Sequence, residues 1–166
     1  MKVTYSDLKN KRVFISGGGS GIGATIVEYF CEQKSEVYFI DIDLKSSNKL
    51  IKKIKKNGFR VPKFIECNIL DVKKLQNIIK DIISKKGAIH CLINSAANDD
   101  RHTTEQVDEK YWENRMGINL KHYFFAAQAV VKGMKKIKSG SIVNLSSVSW
   151  MLGEGDKVVY ETAKSA

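Results

Sequence analysis

Residues 11–23 read KRVFISGGGSGIG, and this stretch decides the fold of the chain. A short apolar run at 13–15 leads through Ser16 directly into glycines. Beyond the glycines, apolar residues recur at helical spacing and are expected to share the inner face of a helix: Ile22, Ile26, Tyr29 and Phe30. The stretch therefore predicts a strand, a glycine turn and a helix.

The predicted glycine turn is suited to binding a diphosphate. Backbone N–H groups converge there, glycines lack the Cβ that would keep a phosphate away, and the helix N-terminus carries partial positive charge. The spacing of Gly17, Gly21 and Gly23 differs from the usual dinucleotide pattern G-x-G-x-x-G. Taking Gly19, Gly21 and Ala24 as that pattern would start the helix too late. A plain loop is the alternative, because a glycine run alone has low specificity.

The composition is that of one regular globular domain. The chain has 166 residues, 43% of them hydrophobic, and a single proline. Its apolar runs fall well short of the roughly 20 residues of a membrane span, and the N-terminus lacks the apolar core of a signal peptide. The three cysteines are expected to be buried free thiols. We therefore expect a single domain over residues 1–166, cytoplasmic, with no membrane partner and no metal site.

The net charge of +10 raises the alternative of a basic protein that binds nucleic acid. Most of this charge comes from lysines on the predicted helix faces opposite the apolar stripes. Arginines and aromatic residues do not cluster among these lysines. We interpret the lysines as a solvated surface and expect no specific nucleic-acid partner.

Strands alternate with helices along the whole chain. After the first unit, strands are expected at 37–40, 61–67, 89–93 and 142–145, and helices at 45–57, from Asp71, from Asp108 and from about Lys157. One long helix from Asp108 is expected to carry an apolar stripe down one side: Trp112, Met116, Leu120, Tyr123, Ala127, Val130 and Met134. This alternation predicts an α/β fold, a Rossmann-like doubly wound parallel sheet with helices on both faces.

A carboxylate follows the second predicted strand. Asp41 lies about 20 residues beyond the glycines, where it can accept hydrogen bonds from an adenosine ribose. It would repel a 2′-phosphate, and no arginine stands nearby to reverse this effect, so NAD is preferred over NADP. The alternative is an aspartate that merely caps the following helix.

Polar residues near the end of the chain suggest proton chemistry. Tyr160 and Lys164 are four residues apart on a predicted helix and so share a face. An ammonium about 4 Å from the phenol would favour the phenolate by roughly 4 kcal/mol at an effective dielectric near 20. Ser147, thirteen residues before the tyrosine, could bond the same substrate oxygen. Asn119 lies within an apolar stripe and could equally be a structural asparagine with satisfied bonds.

Together, these motifs resemble the short-chain dehydrogenase/reductase family in order and spacing over nearly the whole chain. They are Ser16-Gly17-x-x-x-Gly21-x-Gly23, Asp41, Asn94-Ser95-Ala96-Ala97, Asn119, Ser147 and Tyr160-x-x-x-Lys164. The resemblance implies hydride transfer between a nicotinamide cofactor and an alcohol or carbonyl carbon. It implies that Tyr160 is the acid/base and that Lys164 favours its phenolate and holds the nicotinamide ribose. It further implies that Ser147 orients the substrate oxygen and that Asn119 keeps a water linking Lys164 to solvent.

The resemblance also implies a set of residues that bind NAD. They are Gly17, Gly19, Ser20, Gly21, Ile22, Gly23, Asp41, Asn68, Ile69, Asn94, Ser95, Ala96, Tyr160 and Lys164. Three positions depart from the family pattern. Ser16 replaces a threonine, Asn68 replaces the aspartate that usually meets the adenine, and Asn94-Ser95-Ala96-Ala97 replaces Asn-Asn-Ala-Gly.

A narrower resemblance is to NAD-dependent sugar dehydrogenases that act on aldoses such as xylose, arabinose or galactose. It rests on Asn98-Asp99-Asp100-Arg101-His102, on Asn119-Leu120-Lys121-His122 and on Ser147-Val148-Ser149-Trp150. It implies that Asn98, Ser147 and Trp150 contact a sugar or another alcohol substrate. The alternative for the first run is a salt-bridged surface loop.

Family members continue with further strands and a substrate lid, whereas this sequence stops two residues after Lys164. We therefore expect a fold that lacks the family's C-terminal strands, with weak or absent turnover. A dinucleotide-binding fragment without catalysis is the alternative. Strand five is expected to form an open sheet edge, and that edge or the long helix could support a homo-oligomer.

Overall fold

The fold is a parallel sheet with helices on both faces, as the alternation of elements predicts. The computed structural model describes residues 3–166, so the start of the predicted domain at residue 1 lies outside the described residues. Within that range the sheet has five strands: β1 (Arg12–Ser16), β2 (Glu36–Asp41), β3 (Lys63–Glu66), β4 (Cys91–Asn94) and β5 (Ser141–Asn144). Their order is β3-β2-β1-β4-β5, and every pairing is parallel.

Helices connect the strands in chain order. They are α1 (Gly21–Glu32), α2 (Leu44–Lys56), α3 (Val72–Lys86), α4 (Glu109–Met116), α5 (His122–Lys136), α6 (Ser149–Leu152) and α7 (Val158–Ser165). Short 3-10 turns span Ser6–Leu8 and Thr104–Gln106. In the part of the chain that the structure describes, no helix is long and apolar enough to cross a bilayer.

Alternate residues of the strands build two cores, one on each face of the sheet. Val13 and Ile15 of β1 pack with α1 and α2, whereas Phe14 packs with α3 and α5. All three side chains are fully buried. Burial of such a side chain stabilises the fold by about 1.5–3 kcal/mol, so this strand anchors both cores.

The inner face of α1 differs from the predicted stripe. Gly23, Val27 and Cys31 are the buried residues of this helix, while Ile22 is 70% exposed and Tyr29 63% exposed. Glycine at position 23 lets the helix lie close against the turn, and this contact rotates the small residues inward. The prediction that the larger apolar residues face inward was therefore wrong for Ile22 and Tyr29.

The predicted long helix is interrupted. Residues Gly117–Lys121 form a π-helical segment between α4 and α5. This segment buries Gly117 and Asn119, while Trp112, predicted to face inward, is 37% exposed. Periodicity at 3.6 residues cannot reveal such a widened turn, because the local sequence on both sides is helical.

The predicted loop after β5 also contains the short helix α6, which the sequence pattern did not indicate. The prediction of free thiols is confirmed for all three cysteines: Cys31 and Cys67 are buried and Cys91 is half-buried. Within the described residues β5 pairs with β4 alone, so it forms one edge of the sheet. Its apolar residues Ile142 and Val143 are exposed at this edge.

Candidate functional site

The turn after β1 is held by hydrogen bonds to the neighbouring strand. The N–H groups of Gly17 and Gly18 donate to the carbonyl of Ile40 at 2.9 and 3.1 Å. Gly17 has a φ of +69°, in the region where glycine is favoured. A Cβ at position 23 would lie 2.0 Å from the carbonyl oxygen of Gly17. The close contact between turn and helix therefore requires glycine at position 23.

The N-terminus of α1 opens onto a cavity. Its N-cap residue, Ser20, makes no side-chain capping hydrogen bond. A Cβ at Gly21 would meet nothing within 4 Å. The first N–H groups of a helix lack partners within the helix, and at this helix the space in front of them is free. The arrangement suits a phosphate group, which the helix dipole also favours.

Asp41 ties the glycine turn to the end of β2. Its Oδ2 accepts from the N–H of Gly19 at 2.8 Å, and its Oδ1 accepts from the N–H of Asp43 at 2.9 Å. The N-cap of α2 is Asp43, which accepts from the N–H of Ser46 at 2.9 Å. Asp41 is therefore not a simple helix cap, and its carboxylate is fixed at the edge of the cavity.

The cavity has a volume of about 630 Å³ and lies where the strand order reverses between β1 and β4. Ligands of doubly wound sheets bind at such a position, outside the carboxyl ends of the strands. The glycine turn and Asp41 line one part, and Tyr160 and Lys164 line another. The predicted residues that line it are Gly17, Ser20, Gly21, Ile22, Gly23, Asp41, Asn68, Ile69, Ser95, Ala96, Asn98, Tyr160 and Lys164.

Five predicted site residues lie outside the lining of this cavity: Gly19, Asn94, Asn119, Ser147 and Trp150. Gly19 donates to Asp41, and Asn94 is buried, with its Nδ2 donating to Asn144 at 2.8 Å. The hydroxyl of Ser147 lies 2.9 Å from that of Ser149. Trp150 lines a neighbouring cavity of about 410 Å³.

The hydrogen bonds of the Lys164 ammonium go to residues other than Tyr160. Nζ of Lys164 lies 5.7 Å from the centre of the Tyr160 ring. It donates instead to the hydroxyl of Tyr123 at 2.5 Å and to the carbonyl of Leu145 at 2.7 Å. The helical spacing does place Tyr160 and Lys164 on the same cavity. This spacing could not reveal that Lys164 bonds Tyr123, because Tyr123 belongs to a different helix, α5.

Burial sets the charge state of this pair. It lowers the pKa of Lys164 from 10.5 to about 8, because an ammonium loses hydration in the interior. Burial also raises the pKa of Tyr123, so this residue stays a neutral phenol. The Tyr123 hydroxyl donates to the carbonyl of Leu145 at 3.0 Å while it accepts from Lys164. Lys164 is thus a cation whose proton can leave near neutral pH.

A buried histidine supports the turn from behind. Nε2 of His122 lies 3.3 Å from the hydroxyl of Ser16. That hydroxyl oxygen accepts from the N–H groups of Ser95 and Ala96 at 3.2 and 3.4 Å. Burial, and then the charge of Lys164, lowers the pKa of His122 to about 3. His122 is therefore neutral and links α5 to both strand ends beside the cavity.

The side-chain oxygen and nitrogen of Asn119 both bond to the backbone of Asn98. Its Oδ1 accepts from the N–H of Asn98 at 2.8 Å, and its Nδ2 donates to the carbonyl of Asn98 at 2.9 Å. The side chain is fully buried. These bonds satisfy the amide and hold the loop after β4, as expected for a structural asparagine. Its predicted role in keeping a water stays a prediction.

The loop after β4 carries ion pairs. Asp100 pairs with Arg115 of α4, and Arg101 pairs with Asp156. This arrangement matches the alternative of a salt-bridged loop for the charged part of the run at 98–102. Asn98, at the start of that run, borders the cavity.

Sequence reasoning missed seven residues that line the cavity: Ile42, Asp43, Cys67, Ala97, Ile118, Leu145 and Ser146. Most of them directly follow or precede a predicted strand-end residue. Including one or two more residues on either side of these positions would have found them. Ile118 lies in the π-helical segment, and no signal in the sequence indicates it.

Comparisons with known proteins agree with this geometry. A D-xylose 1-dehydrogenase of Caulobacter vibrioides is 40% identical to the chain over 161 residues. A protein of Rhizobium meliloti named probable galactose dehydrogenase is 38% identical over the same length. Each alignment covers 97% of this chain and 63% of the relative. The chain thus spans less than two thirds of the length of these relatives.

The solved structure of Thermoplasma acidophilum aldohexose dehydrogenase superposes with a TM-score of 0.83 at 27% identity. The superposition covers 97% of this chain and 58% of that structure. The profile of the short chain dehydrogenase family matches residues 11–166. Fold, site geometry and family profile lead to one conclusion: the chain belongs to the short-chain dehydrogenase family.

Proposed function

We propose that the protein is an oxidoreductase that transfers hydride between NAD and a hydroxyl group of an aldose or related alcohol. One observation carries the proposal: a single cavity is lined both by the glycine turn with Asp41 and by Tyr160 with Lys164. The first pair of features suits the adenosine diphosphate half of a dinucleotide. The second suits proton transfer at the reacting carbon.

The residues present fit NAD. The open space before Gly21 and the absence of a side-chain cap at Ser20 leave room and donors for a pyrophosphate. Ile42, Asn68 and Ile69 border the same cavity and would flank an adenine. Asp41 would accept from a ribose hydroxyl while repelling a 2′-phosphate, which is our reason for preferring NAD over NADP. NAD would supply the acceptor for the hydride.

Tyr160 would carry the proton transfer. In oxidation the substrate hydroxyl gives its proton to the Tyr160 phenolate as the hydride leaves the same carbon, and a carbonyl group forms. The positive charge of Lys164 would favour the phenolate from within the same cavity. Because burial lowers the pKa of Lys164 to about 8, this support would weaken as the pH rises above that value.

The sugar class rests on relatives and on a few residues. The two curated relatives described above are named for xylose and galactose. Asn98 borders the cavity and offers polar groups to a polyol. We propose that Ser147 and Trp150 also belong to the substrate site, because Trp150 lines a neighbouring cavity that shares Leu145, Ser146 and Lys164 with the first.

A second candidate is a dinucleotide-binding protein without turnover. It is favoured by the positions of Ser147 and Trp150, which lie outside the cavity that holds Tyr160. In this case NAD would bind to the glycine turn, but the substrate oxygen would lack its second hydrogen-bond donor.

Calorimetric titration with NAD, followed by NADH absorbance with a panel of aldoses, separates these functions. Saturable NAD binding with NADH formation from an aldose supports the oxidoreductase. NAD binding with no NADH from any aldose or simple alcohol supports the second candidate. Absence of saturable binding to NAD and NADP would overturn both.

We further propose a cytoplasmic location, where the three thiols would stay reduced, and association of copies through the open edge of β5. Exposed Ile142 and Val143 support that association, because an unpaired apolar strand attracts another strand. Size-exclusion chromatography over micromolar concentrations tests it. A monomer at every concentration would count against it.

A further inference from the structure

His102 is a buried residue in an otherwise exposed loop. Only 7% of its surface is exposed, whereas Arg101 and Thr103 on either side are exposed. Its ring packs against Tyr111 of α4, with centroids 4.9 Å apart. Its backbone N–H donates to the carbonyl of Asp156 at 2.7 Å. The residue thus joins the loop after β4 to the segment just before α7.

The hydrogen bonds of the ring define one tautomer. Nε2 accepts from the backbone N–H of Val159 at 3.3 Å, so it carries no proton. Nδ1 lies 3.0 Å from the carbonyl oxygen of Asp100 and 2.8 Å from the hydroxyl of Tyr111. Since a carbonyl oxygen can only accept, Nδ1 must carry the proton. The ring is therefore neutral, protonated on Nδ1.

The bond to Val159 caps a helix. Val159 is the second residue of α7, and the N–H groups of a first helical turn lack partners within the helix. The N-cap residue Lys157 makes no side-chain capping bond. The imidazole of His102 replaces that cap from a distant part of the chain. Because α7 has only eight residues, it depends on tertiary contacts to stay helical.

We propose that His102 is a positioning residue, which holds the start of α7 and thereby directs the adjacent Tyr160 toward the cavity. Protonation of Nε2 would set one N–H against another at Val159 and release the cap. The role in turnover rests on the function proposed above, whereas the cap itself does not. At acid pH, protonation of Nε2 of His102 would therefore loosen α7, the helix that carries both Tyr160 and Lys164.

Charged residues lie on every element that packs against the ring, and three ion pairs join some of them. Asp100 of the loop pairs with Arg115 of α4, whose guanidinium also lies 4.8 Å from the ring centre of Tyr111. In the segment before α7, Asp156 pairs with Arg101, and Glu154 pairs with Lys157. The other charged residues of these elements are Asp99, Glu105 and Asp108 in the loop, Glu109, Lys110 and Glu113 in α4, and Glu161 and Lys164 in α7. Histidine commonly changes charge between pH 5 and 8.

Amide hydrogen exchange of the ligand-free chain tests the cap without NAD or substrate. Protection factors of residues 158–163 are measured between pH 5 and 8 for wild type, His102→Gln and His102→Phe. Glutamine keeps an acceptor that does not titrate, and phenylalanine keeps a ring without an acceptor. We expect wild-type protection to fall about tenfold toward pH 5, the loss of one cap. We expect no such fall in His102→Gln and low protection at all pH values in His102→Phe.

Equal pH profiles for wild type and His102→Gln would overturn the proposal. A ring ¹⁵N spectrum that places the proton of neutral His102 on Nε2 would do so as well, even if a variant failed to fold. His90→Gln is the matched control, because His90 also accepts a backbone N–H, that of Arg12, but lies away from α7. This control should keep the wild-type pH profile at residues 158–163. If the wild-type chain did not bind NAD but still lost protection at residues 158–163 toward pH 5, the proposed function would be refuted and the cap would stand.

Discussion

The ammonium of Lys164 lies 2.5 Å from the hydroxyl of Tyr123, a residue 41 positions earlier in the chain. Both side chains are buried, and the carbonyl of Leu145 accepts from each of them. Lys164 is thus held by α5 and the end of β5 while it borders the candidate NAD cavity. Its position is set by this pair of acceptors, and its pKa is set by burial.

Replacing Lys164 by methionine should make stability less dependent on pH. Because the pKa of Lys164 is about 8 in the folded chain and ordinarily 10.5, the unfolded chain binds more protons at this residue between those values. The wild type therefore gains stability from this residue as the pH rises through the window, and loses it as the pH falls through 8. Methionine cannot titrate.

We therefore expect the free energy of unfolding of Lys164→Met, minus that of wild type, to decrease from pH 8 to pH 10. Urea denaturation at intervals of pH measures it. Lys74→Met, which removes one lysine at an exposed position of α3, is the matched control for the loss of a positive charge. A constant difference for Lys164→Met would contradict the lowered pKa.

Tyr160→Phe should strongly lower turnover without eliminating NAD binding. The substitution removes the phenolic oxygen proposed to accept the substrate proton but keeps the ring on the cavity wall. General acid–base groups contribute about 10²–10⁴-fold to rate, so NADH formation should fall at least about 100-fold. Calorimetry measures NAD affinity in the same preparation. Tyr29→Phe, on the exposed side of α1, should retain full activity. Unchanged turnover in Tyr160→Phe would exclude its proposed role.

Asp41→Asn should weaken the discrimination between NAD and NADP. The substitution removes the negative charge that would repel a 2′-phosphate. It also sets an amide N–H against the backbone N–H of Gly19 or Asp43, which the carboxylate now accepts. Loss of one charge-assisted hydrogen bond corresponds to roughly tenfold or more in affinity. The dissociation constant for NADP divided by that for NAD should therefore fall by about that factor. Asp81→Asn on α3 is the control. An unaltered ratio would show that Asp41 does not select the cofactor.

Gly23→Ala should both destabilise the fold and eliminate NAD binding. The added Cβ would lie 2.0 Å from the carbonyl oxygen of Gly17, so α1 must move away from the turn. Overpacking of this kind typically costs about 1–3 kcal/mol. Gly155→Ala is the control, because its Cβ would meet nothing within 4 Å. Thermal unfolding and NAD calorimetry measure the two effects. Wild-type affinity in a folded Gly23→Ala chain would place the dinucleotide elsewhere.

Local patterns predicted most of the fold. The run at 13–15, the glycines and the helical spacing after them specify a strand, a turn and a helix, because each depends on neighbours a few residues away. The alternation of such units made a parallel sheet the expected architecture. The same patterns could not show which side of α1 faces inward, since the contact of Gly23 with Gly17 is tertiary.

The sequence by itself determined the order of strands and helices, the glycine turn, the carboxylate at Asp41 and the shared face of Tyr160 and Lys164. Only the tertiary structure decided that Lys164 bonds Tyr123, that Asn119 pairs with Asn98, and that His102 caps α7. The physical reason is the range of the interactions. Periodicity and turn chemistry act between close neighbours, whereas a buried donor selects its acceptor from whatever the packed helices and strands bring within about 3 Å.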